Sequence, residues 1–391
     1  MASSKNEFDY IIAGGGMAGL SLAYYLSKSS LTSKNVLIID EPKAQTTKKT
    51  FSFWAEEDTT PFREIIEKSW SKIAIQGKTL LPNILEISPY SYSTIQSEIL
   101  LKFLRAEIKK HSNFHFLQTK VKEIRFGGLG TIIETDKGDY MANEKVFDSI
   151  SPFPYDPSDE KYVKQHFIGW KIEAKFPTFK TEFAKLFDFR VSAGNPCEFM
   201  YYLPINSHTA LLEHTFFSPT IQEEDYYRKK ISYYLNTILG LRKEEYEIIL
   251  EEKGILPMVE KDFDQKVGQK WIKIGTPGGF LKSSTGYSFT RTQELLKNLV
   301  NNLEKDAYFS PILTKSPFKK FQDKVLLQVL KNPNVNSNEI FEILFEKNPP
   351  NQVLKYLDEK TSIWEDLRIM SSVPTKIFLN GAFQVLLKKE S

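Results

Sequence analysis

The sequence is short of the residues that build metal centres and disulfide frameworks. Its 391 residues include one cysteine, Cys197, and five histidines. A single cysteine closes no intramolecular disulfide and makes no cysteine-based metal site. The histidines fall at no metal-ligand spacing, so no metal is expected. An excess of one charge is also missing. The 52 basic and 49 acidic side chains leave a net charge of +3, with no basic block long enough for a nucleic-acid-binding arm. No run of about 18 apolar residues occurs, so no bilayer-spanning helix is expected. The polar first eight residues lack the apolar stretch of a signal peptide, which points to the cytoplasm. What the chain has in surplus is aromatic, with 29 Phe and 18 Tyr. Such residues usually fill cores, and a surplus also suits a pocket for a large apolar ligand.

The most informative stretch is Asp9 to Tyr25, DYIIAGGGMAGLSLAYY. A short apolar run leads into Gly14, Gly16 and Gly19, which fit G-x-G-x-x-G, and an alanine- and leucine-rich segment follows at helical spacing. The first glycine permits a tight turn, the second lets backbone approach a pyrophosphate, and the third lets helix and strand pack closely. The helix N-terminus then offers free N–H groups and a partial positive charge. A second apolar run, Val36 to Ile39, ends in Asp40, the place for an acid that binds a ribose hydroxyl. An ordinary glycine turn with a helix-capping acid is the alternative, but strand, glycines, helix, strand and acid all occur in order.

Further along, residues 94–110 show helical periodicity, with Ile95, Ile99, Phe103 and Leu104 on one face. Short β runs follow at 114–117, 121–126, 131–134 and 146–147. The runs FIGWKIEAKF, EFMYYLP and TALLEHTFF, within residues 167–217, read as antiparallel strands of a second layer. A helix is expected at 225–239. A short strand at 271–274 precedes Gly275-Thr276-Pro277-Gly278-Gly279, a second glycine turn that either approaches a cofactor or forms a plain surface loop. A helix is expected at 288–305, and amphipathic helices succeed one another from Asp323 on. The length suggests two or three subdomains.

Several motifs in order give a resemblance over essentially the whole chain. They are Thr50-Phe51-Ser52-Phe53-Trp54, Phe167-Ile168-Gly169-Trp170, Asp188-Phe189-Arg190, Phe199-Met200-Tyr201-Tyr202-Leu203-Pro204, Leu212-Glu213-His214-Thr215, Glu252 to Met258 (EKGILPM), Ser284-Thr285-Gly286-Tyr287-Ser288, and Trp364 to Met370. In this series the chain resembles the bacterial lycopene β-cyclases, flavin-dependent carotenoid cyclases related to the plant lycopene cyclases. It departs from their pattern at Lys48, Phe51, Ile150, Ser283 and His214; the last stands where the family carries a second acid.

The resemblance implies an α/β protein with a Rossmann-type FAD-binding domain (1–150 and 268–310), an antiparallel β-sheet substrate domain (151–267) and a helical C-terminal region (311–391). It implies FAD, active in its reduced form with NADPH as reductant. Gly14, Gly16, Gly19, Asp40, Gly275, Gly278, Gly279, Thr285 and Gly286 would be the cofactor-binding residues. The implied substrate is lycopene, cyclised without net redox change, with Glu213 as the catalytic acid. Apolar neighbours on both sides of Glu213 favour a protonated carboxyl, although an acid on an alternating strand also commonly faces solvent. Asp188 is the alternative acid. A substrate dissolved in lipid implies peripheral contact with the inner membrane, for which Phe378, Phe383, Leu386 and Leu387 beside Lys376, Lys388 and Lys389 are candidates. A flavin monooxygenase or dehydrogenase, and a non-catalytic isoprenoid-binding protein, are the competing readings of the same fold. Oligomeric state is not legible.

Overall fold

The chain opens on β1 (Glu7–Ala13), α1 (Met17–Ser27) and β2 (Val36–Asp40). β3 (Thr50–Glu56), β4 (Lys68–Trp70), β5 (Lys72–Gln76), β6 (Asn83–Glu86) and β7 (Tyr90–Gln96) come next, then α2 (Ser97–Ile108), β8 (Phe114–Gln118), β9 (Val121–Phe126), β10 (Thr131–Thr135) and β11 (Gly138–Asp148). The middle of the chain forms β12 (Val163–Ala174), β13 (Ala184–Asp188), β14 (Cys197–Pro204), β15 (Thr209–Ser218), α3 (Glu224–Tyr233) and β16 (Tyr246–Met258). β17 (Lys266–Val267), β18 (Trp271–Lys273) and α4 (Phe289–Glu304) follow, and then α5 (Pro317–Leu330), α6 (Ser337–Lys347), α7 (Pro350–Leu357), α8 (Ile363–Ser372) and α9 (Thr375–Leu387). This computed structural model describes residues 6–42, 48–56, 60–77, 81–128, 130–153, 156, 159–192, 197–305 and 316–387.

Among the described residues the strands form three sheets. The first has the order β17-β18-β11-β1-β2-β8, with β10 and β9 attached beside β11. β1 pairs in parallel with β2 and β11, β2 with β8, and β11 with β18. Parallel strands are covered on both faces and so read as continuous apolar runs, as Ile11, Ile12 and Val36 to Ile39 do, all buried. The second sheet has the order β16-β12-β15-β14-β13-β5-β6 and is antiparallel except at β13–β5. The third is β3-β7-β4.

The second sheet is buried on both faces. Phe199, Tyr201, Leu203, Leu211 and Phe217 point to one face and pack against Trp54, Phe341 and Phe345, under the C-terminal helices. Met200, Tyr202, Ala210, Leu212 and Phe216 point to the other and meet Tyr227, Ile231 and Tyr234 of the α3 segment. Much of the aromatic surplus lies in this double core, and a further share lies in the core around α1 and α4.

Several expectations need correction. Residues 94–96 belong to β7, where Thr50 to Glu56 give them cross-strand partners, and the helix begins only at Ser97. Its buried stripe is Leu100, Leu104 and Ile108, while Ile99 faces outward. The i, i+4 spacing of that stripe sets the face. The segment 225–239 ends not in α-helix but in a π turn over Tyr234–Ile238. The C-terminal helices start earlier than Asp323, at Pro317, where Ser316 caps the helix and proline occupies its first turn. β5 and β6 lie within the expected 1–150 segment yet join the second sheet through β13. The expected boundary at 310/311 lies outside the described residues.

Candidate active site

Two glycine turns meet at the start of α1. Gly14 has φ +108°, and a Cβ there would lie 2.2 Å from Ser149 Oγ. A Cβ at Gly19 would fall 1.9 Å from the Gly14 carbonyl oxygen. Only glycine fits either place. Gly16 is different: it is the N-cap of α1, no side chain caps the helix, and an added Cβ meets nothing within 4 Å. The protein's own packing does not demand glycine here. Open space in front of uncapped N–H groups is what close approach by a pyrophosphate requires. Asp40, at the end of β2, accepts from the Gly15 N–H at 3.1 Å and from Arg105 Nη2 at 2.9 Å. It borders a groove of about 700 Å³ with Gly15, Met17, Leu101, Arg105 and Lys109.

The second turn follows β18, which runs parallel to β11 and ends at Lys273, one residue earlier than expected. Gly275 has φ +63°, and a Cβ there would approach Ala18 of α1 to 3.0 Å. The two turns are thus in contact. Gly278 and Gly279 sit inside this turn, against Lys273 backbone and Phe263. Thr285 and Gly286 lie elsewhere, on the wall of a cavity of about 290 Å³. Met17, Lys49 and Phe51 line both this cavity and the Asp40 groove, so the two spaces adjoin. A long cofactor held at the glycine turns and Asp40 has room to reach the cavity, and the residues present fit such a group.

Glu213 lines the cavity. It is half-buried on the wall of this cavity. The carboxyl accepts from Thr215 Oγ1 at 2.9 Å. Burial pushes its pKa up to about 8, the charge of Glu252 adds to the rise, and the Thr215 bond opposes it. Glu252 is 4 % exposed and lines the same cavity. One of its oxygens accepts from the Thr50 N–H at 2.6 Å, while the other has no hydrogen-bond partner. Burial pushes this carboxyl up to about 7.

Aromatic groups surround the pair. The Tyr287 hydroxyl lies 3.4 Å from that of Tyr201 and 3.5 Å from that of Tyr92, and the Trp54 ring meets Tyr287 edge-on at 4.3 Å. Burial raises all three phenols well above their ordinary range, so they stay neutral.

Two residues singled out in the sequence lie on the other side of the sheet. His214 follows Glu213 on β15 and so points to the opposite face. There it is fully buried, its Nε2 is 2.9 Å from Glu198, and burial lowers its pKa. It has no access to the cavity. Asp188 is fully buried too, but it is bonded by Arg190, Lys185 and the Tyr234 hydroxyl. Burial pushes its pKa up, yet these donors outweigh burial and hold it below the usual carboxylate range. It is a structural anion rather than an acid. Sequence reasoning missed Glu252, Gly169 and the tyrosine cluster as site residues. The EKGILPM motif was visible, but nothing in it says which strand Glu252 faces.

The profile of the lycopene cyclase protein family matches residues 9–382. Neoxanthin synthase of Solanum tuberosum is 23% identical over 322 residues, covering 78% of this chain and 62% of that protein. Capsanthin/capsorubin synthase of Capsicum annuum is 23% identical over 312 residues, 74% of this chain and 59% of its own length. The chain therefore spans about three fifths of the curated relatives it matches. Among solved structures, a geranylgeranyl bacteriochlorophyll reductase-like protein of Thermoplasma acidophilum superposes with TM-score 0.65 at 12% identity, covering 96% of this chain and 98% of that one. p-Nitrophenol 4-monooxygenase of Pseudomonas putida gives 0.60 at 14%, with the same coverage. At such identities the likeness concerns the fold alone, and that fold is the α/β fold of FAD-dependent oxidoreductases expected from the sequence.

Proposed function

The chain belongs to the family of lycopene cyclase proteins, and from that premise we propose that it is a lycopene β-cyclase, closing the linear ends of lycopene to β-rings. The observation that carries this reading is Glu213: a carboxyl held protonated up to about pH 8, on the wall of a cavity lined by neutral tyrosines. An alkene is a very weak base, so its protonation needs an acid kept neutral and away from bulk water. In this reading Glu213 adds its proton to C2 of the terminal C1=C2 bond, leaving a tertiary cation at C1. The C5=C6 bond attacks C1 and closes the ring, and loss of the C6 proton completes it. The rings of Tyr92, Tyr201 and Tyr287, which line the cavity, stabilise the cations by cation–π attraction. Their hydroxyls, kept neutral by burial, offer no phenolate to divert the proton.

The glycine turns at Gly14 to Gly19 and Gly275 to Gly279, together with Asp40, would hold FAD, with Thr285 and Gly286 beside its inner end. Reduced FAD, with NADPH as reductant, would supply negative charge beside the cavity. No helix among the described residues is long and apolar enough to cross a membrane, so substrate would be drawn from lipid by peripheral contact on the cytoplasmic side. Of the expected contact residues, Phe378 packs against the core, whereas Lys376, Phe383, Leu386 and Leu387 of α9 are exposed, as is Leu379 beside them. Lys388 and Lys389 lie outside the described residues.

The test is anaerobic incubation with lycopene in liposomes, FAD and a reductant, followed by chromatography of the pigments. Cyclised product is expected from the parental protein. Glu213→Gln should lower turnover by at least ~10²-fold, the scale of a lost general acid, with flavin binding retained. Parental turnover in that variant would remove Glu213 from the reaction. Oxygen or NAD(P)H consumption matched to product would favour the monooxygenase or dehydrogenase reading instead.

A further inference from the structure

Four residues form a row across the cavity face of the second sheet. Tyr201 of β14 lies opposite Glu213 of β15, Glu213 opposite Gly169 of β12, and Gly169 opposite Glu252 of β16. Neighbouring strands are about 4.8 Å apart, so the two glutamates stand two strands apart with only a glycine between them. A Cβ at Gly169 would lie 3.4 Å from Glu213 Cγ and 3.3 Å from Glu252 Cγ. Any larger side chain would fill the lane between the carboxyls; glycine leaves it open. The Glu252 oxygen without a protein partner belongs to a residue lining the same cavity as Glu213. Leaving a buried polar atom unsatisfied costs about 1–3 kcal/mol, and more for a charged one. Such an atom at a reaction cavity is one that a reacting group can use.

We propose that Glu252 is the second acid–base group of this site, and that the pair holds one proton between its two carboxyls. Glu213 delivers its proton to C2, and Glu252 takes the proton that leaves C6. The step balances: the C2–H and C1–C6 bonds form, the C1=C2 π bond and the C6–H bond break, the electrons of the C6–H bond restore the C5=C6 bond, and no electrons are gained or lost. Transfer of the proton from Glu252 to Glu213 across the Gly169 lane restores the pair. The surrounding charges favour this division of labour. Lys49, preceding β3, and Lys171 of β12 both favour the charged form of Glu252. Lys171 is itself bonded to Glu67, which also accepts from Gln96. Glu213 faces the neutral hydroxyls of Tyr92, Tyr201 and Tyr287 instead. The one negative charge therefore rests on Glu252 and the proton on Glu213. This assignment rests on the cyclase reading above.

The test uses full-length, flavin-loaded Glu252→Gln and Glu252→Asp. Glutamine still accepts from the Thr50 N–H, and the aspartate variant guards against loss by misfolding. Infrared titration of the carboxyl band, without substrate, reads Glu213 directly. In Glu252→Gln the neighbouring charge is gone, so protonated Glu213 should disappear at lower pH than in the parental protein. Initial rates in lycopene liposomes should fall roughly 10²-fold or more, the basic limb of the pH–rate profile should move to lower pH, and Glu252→Asp should recover part of the rate. An unmoved Glu213 titration overturns the shared proton. Parental turnover in Glu252→Gln overturns the transfer role. If the parental protein cyclises no lycopene, the cyclase reading is what fails, and the substrate-free titration still decides whether the carboxyls are paired.

Discussion

Glu213 should weaken the fold in a pH-dependent way, and its removal should reveal the cost. The carboxyl moves from its ordinary 4.5 in the unfolded chain to about 8 in the folded protein, chiefly through burial. Between those values the folded state holds a proton that the unfolded state has released, so stability falls as pH rises. Each pH step within the window costs about 1.4 kcal/mol, which accumulates to at most about 5 kcal/mol once the pH passes the folded value. Glu213→Gln keeps the side chain's size and removes the titration. The constant part of the change, a different hydrogen bond to Thr215, shifts stability equally at every pH. The variable part should leave Glu213→Gln gaining on the parental protein from about pH 5 upward and levelling off above about pH 8. Equilibrium denaturant unfolding of both flavin-loaded proteins at several pH values measures the difference. A difference that stays flat across the window would show that Glu213 ionises as in water, and the acid assignment would fall with it.

Asp40→Ala should weaken FAD binding by roughly tenfold or more, the scale of one lost hydrogen bond to a charged group. Flavin content after purification and a fluorescence titration read it, and unchanged affinity removes Asp40 from the cofactor site. Peripheral contact through α9 predicts that Leu379→Ser with Phe383→Ser, both about 63% exposed, abolishes flotation with anionic liposomes while leaving the fold intact. Flotation equal to the parental protein's would place the contact elsewhere.

What the sequence revealed and what it hid follow from the range of the interactions involved. The opening βαβ unit is local: a buried parallel strand, a glycine turn whose sterics tolerate no Cβ at Gly14 or Gly19, and an acid at the end of β2. Each piece leaves its mark within a few residues. The aromatic runs were legible as strands because both faces of the second sheet are buried. The start of α2 was not, because Thr94 and Ile95 fit a helical period by chance while their β partners lie in Thr50 to Glu56, far back in the chain. The glutamate pair was hidden for the same reason. Glu213 and Glu252 become neighbours only through the register that sets both opposite Gly169, and register between distant strands is not written in either strand alone.

Which buried group becomes the acid is decided by its partners rather than by burial. Asp188, His214 and Glu213 are all drawn out of water on the same sheet, and each meets a different neighbour. Asp188 has Arg190 and Lys185 within ion-pair distance, so it stays charged despite being fully buried. His214 loses its charge to burial, and its neighbour Glu198 only moderates that loss. Glu213 has no cation within ion-pair distance among the described residues; it has a hydroxyl from Thr215 and, across a glycine, a second carboxyl. A second carboxylate penalises charge where a cation would favour it. Asp188, the more deeply buried of the two, is left an anion by its cations, while Glu213 is left a neutral acid. Of the three, it is also the one that lines the cavity, where a proton can be given away.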